Sequence, residues 1–137
     1  MAGRLSDALV HELLDAVFGG GTYTPEATIY VGLSTTTPTN TGTSVTEPSG
    51  NAYARVAVTN NATNFPAASS RAKANGTVVQ FPTASGSWGT VTHFVLYDAS
   101  SGGNFLGWGN LTSSLAVGTG ATVDFPIGDL DITAPGS

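Results

Sequence analysis

Apolar residues recur at helical spacing in one place, near the start of the chain. Leu5, Leu9, Leu13 and Val17 form one row and Val10, Leu14 and Phe18 a second, with Asp7, Glu12 and Asp15 mostly between them. Ser6 stands where an N-cap is needed, and Asp7 follows at the positive end of the helix dipole. Leu5 and Val10 occupy the staple positions around that cap. The glycines at 19, 20 and 21 end the pattern. A helix of about 13 residues is marginal alone, so its apolar rows must lie on the protein's own sheet or on another chain. Each large apolar side chain buried there contributes about 1.5–3 kcal/mol. Leu9, Leu13 and Val17 are therefore expected contact residues.

Beyond residue 21 the period changes to that of strands. Residues 27–33 alternate, with Ile29, Val31 and Leu33 on one side and Thr28 and Tyr30 on the other. Residues 52–59 alternate again, with Ala54, Val56 and Val58 opposite Tyr53 and Arg55. A short strand is expected at 77–81, stopped by Pro82. Residues 90–98 carry Val91, Phe94, Val95, Leu96 and Tyr97 almost without interruption, which implies cover on both faces. A Gly-rich turn joins them to 104–111 as a hairpin. The last strands are expected at 121–125 and 128–132. Residues 35–51 have no apolar period and exceed the usual loop length, which marks a contact loop around Pro48. Residues 60–75 read as a second irregular stretch.

About seven short strands with regular turns point to a mostly β fold: an antiparallel β-sandwich, jelly-roll-like or a partly closed barrel, behind one N-terminal amphipathic helix. One domain is expected over 1–137, with the helix in 1–21, a β body in 22–132 and a tail at 133–137.

Charge narrows the function classes. Only 9% of the residues are charged, and the net charge is −5, against about 25% charged in an average domain. The cations Arg4, Arg55, Arg71 and Lys73 form no cluster of the kind nucleic acid requires. No apolar run reaches the roughly 20 residues that span a bilayer. Arg4 is followed by a stretch broken by acids, which reads as mature protein and not as a secretory signal. The absence of cysteine excludes disulfides and thiolate metal sites. The 20 Thr and 18 Gly place hydroxyls and turns where charge is normally found, a surface suited to packing against other chains.

The residues with chemical potential do not converge in the sequence. His11 lies on the helix and His93 inside the strongest strand, five residues before Asp98 and on the opposite face. No serine sits on a nucleophile elbow. Asp129 and Asp131 share a strand face, so a calcium site with help from Asp124 is one reading and a solvated face the better one. Glu26, Glu47, Asp98 and Asp124 are scattered. Gly19–Gly21 follows a helix and so presents no N-terminus to a phosphate. Trp88, in a Ser/Gly turn, is a candidate for stacking on a sugar or docking in a partner, and a core or subunit-contact ring is the plainer reading. Arg55 is expected to pair with an acid or anchor a loop. No catalytic, cofactor-binding or metal-binding residues are assigned.

Four segments carry a family resemblance: 31–38 (VGLSTTTP), 45–59 (VTEPSGNAYARVAVT), 80–98 (QFPTASGSWGTVTHFVLYD) and 122–132 (TVDFPIGDLDI). With the opening helix they resemble small virion proteins of tailed bacteriophages, relatives of which are labelled capsid decoration proteins or tail-fibre proteins. The resemblance implies a non-enzymatic β protein present in many copies, with no cofactor. The leading expectation is a decoration protein on the capsid surface, bound to the major capsid protein and forming homo-oligomers, with trimers favoured. The alternatives are a tail-fibre or baseplate component facing the host, and a secreted carbohydrate-binding module or hydrolase. Leu9, Leu13, Val17, Pro48 and Trp88 are the expected partner contacts.

Overall fold

A computed structural model describes residues 3–134. The chain runs through β1 (Gly3–Leu5), α1 (Asp7–Val17), β2 (Thr28–Ser34), β3 (Val56–Thr59), β4 (Ala72–Ala74), β5 (Val79–Gln80), β6 (Gly89–Tyr97), β7 (Phe105–Val117), β8 (Asp124–Phe125) and β9 (Asp131–Thr133). Seven strands form one sheet in the order β3-β2-β6-β7-β1-β9-β4, and β5 and β8 form a separate ribbon. The sheet curls into a half-barrel, so the expected mostly β fold with one N-terminal helix holds. Its pairs are antiparallel except β1–β9, which is parallel.

The core lies between the concave face of the sheet and the ribbon. Val31, Leu33, Val91, Phe94 and Leu96 from β2 and β6 meet Val79, Phe81, Val123 and Phe125. Phe125 bridges the two layers, with its ring 6.1 Å from both Phe81 and Phe94 in edge-on contact. On the convex face Val95, Tyr97 and Trp108 form a second cluster with Tyr30, Val45 and Phe105. β6 is therefore covered on both sides, as its unbroken apolar run implies. The cover on the convex side comes from residues 35–51, which strap the sheet. Val45 packs on the cluster, Pro38 is buried, and Asn40 accepts a hydrogen bond from Trp108 Nε1 at 3.0 Å.

The helix forms where its signals lie. Ser6 Oγ accepts from the Leu9 amide at 3.2 Å, and the Phe18 amide donates to Leu14 O at the other end. Gly19 and Gly20 then take φ of 126° and 73°, a region that side-chain-bearing residues rarely enter. The Ser6 amide donates to Leu106 O and the Asp7 amide to Asn40 O, which pins the helix start to β7 and the strap.

Several sequence expectations change. β1 and β4 were not expected; both are three-residue strands without an apolar period, held by pairing to β9. Tyr53 and Arg55 precede the strand instead of lying in it, because Asn51 and Ala52 take positive φ values of 54° and 67° and turn the chain. β7 runs to Val117, and Leu111–Ser114 bulge opposite Thr92 alone. Thr133, assigned to the tail, belongs to β9, where its hydroxyl donates to Gly3 O at 2.6 Å. The tail positions 135–137 lie outside the described residues.

Candidate interaction surface

The amphipathic helix divides its apolar residues between two faces. Leu9 and Leu13 are half-buried. Leu9 lines a groove of about 220 Å³ with Leu5, Tyr23, Ile29, Leu106 and Ile132 at an edge of the core. The other face ends in solvent: Leu14 is 50% exposed, Val17 70% and Phe18 75%. No residue of α1 is fully buried. Scattered apolar exposure is ordinary, but three large residues contiguous at one helix end make a patch. Val17 thus stands at the surface, while Leu9 and Leu13 face the body.

Pro48 and Trp88 have other roles. Trp88 is 4% exposed. Its Nε1 donates to Asn51 O at 2.8 Å, and its ring meets Tyr53 edge-on at 5.2 Å and Phe81 at 6.4 Å. The partner-contact and stacking reading of Trp88 is corrected and the core reading holds: the Ser/Gly turn folds the indole into the core, and its one polar atom is satisfied by backbone. Pro48 is half-buried. It lines a polar cleft with Glu47, Tyr53, Arg55 and the 100–102 turn.

That cleft is built on the segment with the most distinctive sequence. Arg55 Nε and Nη2 donate to Glu47 Oε1 and Oε2 at 3.0 and 2.7 Å. Nη1 donates to Ala99 O at 2.7 Å and Gly102 O at 2.9 Å. The guanidinium lies over the Tyr97 ring, 3.7 Å from its centroid. Tyr53 Oη donates to Glu47 Oε1 at 2.7 Å and accepts from the Leu33 amide at 2.9 Å. Burial and the Glu47 hydrogen bond raise the Tyr53 pKa strongly, which keeps the hydroxyl protonated. Burial opposes the Arg55 charge, but the hydrogen bonds and charge of Glu47 outweigh it, and its pKa moves up. Arg55 thus both pairs with an acid and anchors a loop. The polar atoms of the cleft point at one another, so the cluster ties three segments together and presents little to a ligand.

The histidine and the carboxylates stay apart. His93 is 8% exposed, with Thr92 Oγ1 2.7 Å from its Nδ1 and its ring 5.6 Å from that of Trp108. Burial lowers its pKa, against a hydrogen bond with Asn110 that raises it. Asp98 instead locks the hairpin turn, accepting from the Asn104 amide at 2.6 Å and Asn104 Nδ2 at 2.8 Å. Asp129 is exposed and lies before β9, whose first residue is the half-buried Asp131, so the shared strand face expected for the two does not form. Among the described residues no group of three or more His, Asp or Glu is placed to hold a metal ion.

One organising residue carried no sequence signal. Asn75 is 2% exposed. Its Nδ2 donates to Thr77 O, Phe125 O and Pro126 O at 2.9, 3.2 and 3.0 Å, and its Oδ1 accepts from the Leu130 amide at 2.9 Å. It fixes the path between β8 and β9 inside a stretch that reads as irregular.

No curated protein matches the chain. The family model described as Podophage GP4 fiber I protein gp80 matches residues 4–133, a span that includes the helix, the Glu47–Arg55 cluster and all strands from β2 to β9. The chain therefore belongs to the Podophage GP4 fiber I protein gp80 family and is a structural protein of the phage virion.

Proposed function

We propose that the chain is a non-enzymatic subunit of a phage tail fibre that meets copies of itself and other virion proteins through apolar surface at the end of α1. The observation that carries this reading is the pairing of a fibre-family match over residues 4–133 with the exposed Leu14, Val17 and Phe18. The family's name moves the reading from the capsid surface, the leading sequence expectation, to the tail. The chemistry agrees with a packing role. His93 is buried, Asp98 holds a turn, and the Glu47–Arg55 pair is consumed by internal contacts. A glycan-stacking role loses its main aromatic, because Trp88 is in the core.

Immunogold labelling of intact particles with an antibody to the chain tests the location. Gold on the tail or its fibres is expected, together with a copy number of tens or fewer per particle by quantitative mass spectrometry. Gold spread over the head, with hundreds of copies, would restore the decoration reading.

A further inference from the structure

The sequence holds one Asn–Gly pair, Asn75–Gly76. In an open chain this is the pair most prone to cyclise. Glycine has no Cβ to crowd the approach, so its amide nitrogen reaches the asparagine carboxamide. The Gly76 nitrogen gives up its proton and bonds to Asn75 Cγ, the Cγ–Nδ2 bond breaks, and ammonia leaves with that proton. Water then opens the five-membered imide at either carbonyl. The products are aspartate at position 75 and isoaspartate, in which the main chain runs through the side-chain carboxyl.

The native structure closes each step of this route. The Gly76 amide donates to Asn64 O at 2.7 Å, which engages the proton it would have to lose. Asn75 Nδ2, the leaving nitrogen, is held on Thr77 O, Phe125 O and Pro126 O, and Oδ1 on the Leu130 amide. Four hydrogen bonds thus keep the carboxamide from swinging onto the Gly76 nitrogen. The turn after β8 is tied over the site, with the Gly128 amide donating to Asn75 O at 2.9 Å. Asn75 is 2% exposed, so the water that would open the imide is excluded. The same packing dictates the pair. A Cβ at position 76 would collide with Thr63 O and stand 2.7 Å from Pro66 Cγ, and a carboxamide is needed at 75 to donate to three carbonyls while accepting from an amide. The fold requires side by side the two residues whose succession is least durable in an open chain.

We infer that Asn75–Gly76 is a spontaneous deamidation site that only the folded state closes, so that a chain left unfolded is modified there and barred from refolding. An ionised carboxylate at 75 has no hydrogen for the three carbonyls. Isoaspartate lengthens the main chain where position 76 has no spare room beside Thr63 and Pro66. The inference goes beyond the fibre reading and does not depend on it.

The test incubates the full chain at mildly alkaline pH, native in one arm and unfolded in guanidinium chloride in the other. Digestion at acid pH and mass spectrometry read the conversion of carboxamide to carboxyl at each asparagine, and labelling by an isoaspartyl methyltransferase reads the isomer. In the unfolded arm position 75 should convert ahead of every other asparagine. In the native arm it should convert at least about 100-fold more slowly, because reaction through an opened state tracks the population of that state. Dilution from denaturant tests the barrier. Freshly unfolded chain should regain its native melt; after ageing, chains modified at 75 should collect in the fraction that does not refold. Equal conversion in both arms, or faster conversion at another asparagine in the unfolded arm, overturns the site. Modified chains spread equally through the refolded fraction overturn the barrier. Should fresh chain fail to recover on dilution, the Asn75→Asp chain made by expression takes its place, and a melt like that of the natural chain overturns the barrier in the same way.

Discussion

Arg55→Ala is the perturbation whose size best separates a structural cross-link from an ordinary surface ion pair. The Arg55 side chain is 6% exposed and Glu47 22%. Truncation removes the hydrogen bonds to both Glu47 oxygens, strips donors from Ala99 O and Gly102 O, and lifts the cation from the Tyr97 face. It also leaves the Glu47 charge mostly out of water without a counter-ion. Breaking a buried pair in this way costs about 3–5 kcal/mol, whereas an exposed pair contributes about 0–1 kcal/mol. For a chain of this length about 3–5 °C of melting temperature accompanies each kcal/mol, so a drop of about 10–20 °C is expected. Glu47→Gln keeps an oxygen for Tyr53 and one Arg55 contact, and should cost less. Because the two residues act as one unit, the double variant should be less destabilised than the sum of the singles. Thermal melts followed by circular dichroism, with urea unfolding for the free energies, read all three variants. A loss below about 1 kcal/mol for Arg55→Ala, or an additive cycle, would refute the view that the cluster clamps the 47–55 segment to the 99–102 turn.

Three further outcomes are expected. Asn75→Asp should destabilise more than Asn75→Ala in urea unfolding, because the carboxylate would face the three carbonyls that Nδ2 now serves; the alanine variant should itself cost about 2–4 kcal/mol for stranded buried groups. Gly32→Ala should cost about 1–3 kcal/mol, since its Cβ would stand 2.7 Å from Glu47 Oε1 and 2.9 Å from Tyr53 Oη; a neutral result would mean that the cluster can slide. The natural chain should lose stability on acidification, because burial lowers the His93 pKa below its unfolded value of about 6.5. The unfolded chain then binds more protons, so the His93 contribution is complete above the unfolded value and fades as pH falls through it towards the folded one. His93→Gln should flatten that part of the profile, and an unchanged slope in pH-dependent melts would remove His93 as its source.

The legible parts of this molecule are those governed by local pattern. α1 is written in its cap, its two apolar rows and its terminating glycines, and β2 and β6 in alternation or unbroken apolar runs. β1 and β4 had no such signature, since each consists of three residues whose strand character comes from a distant neighbour, β9. Trp88 is ambiguous in the sequence for a related reason: its Ser/Gly surroundings describe the turn, and only the tertiary path through Asn51 folds the ring inwards. The role of residues 35–51 was half visible. Their length marked them as special, but Val45 and Asn40 close over the convex cluster, a pairing set by sheet curvature and not by spacing. Arg55 was legible because a rare cation opposite an apolar strand face needs an acid, and Glu47 in the preceding turn supplied it. Asn75 was not, because an asparagine in an irregular stretch looks like any surface turn until three carbonyls converge on it.

The parallel seam between β1 and β9 orders events in time. Thr133 reaches Gly3 across 130 positions of sequence, and β1 has no sheet neighbours except β7 and β9. On the ribosome β1 therefore waits, unpaired, until β7 is made, and its second edge is closed only when β9 emerges. Such distant pairing makes closure slow relative to local hairpin formation. A chain stalled or clipped before residue 131 would keep the β6–β7 hairpin and the β1–β7 pairing yet leave the other edge of β1 open and β4 without its sheet neighbour, so the seam acts as a completeness check before a subunit can join an assembly.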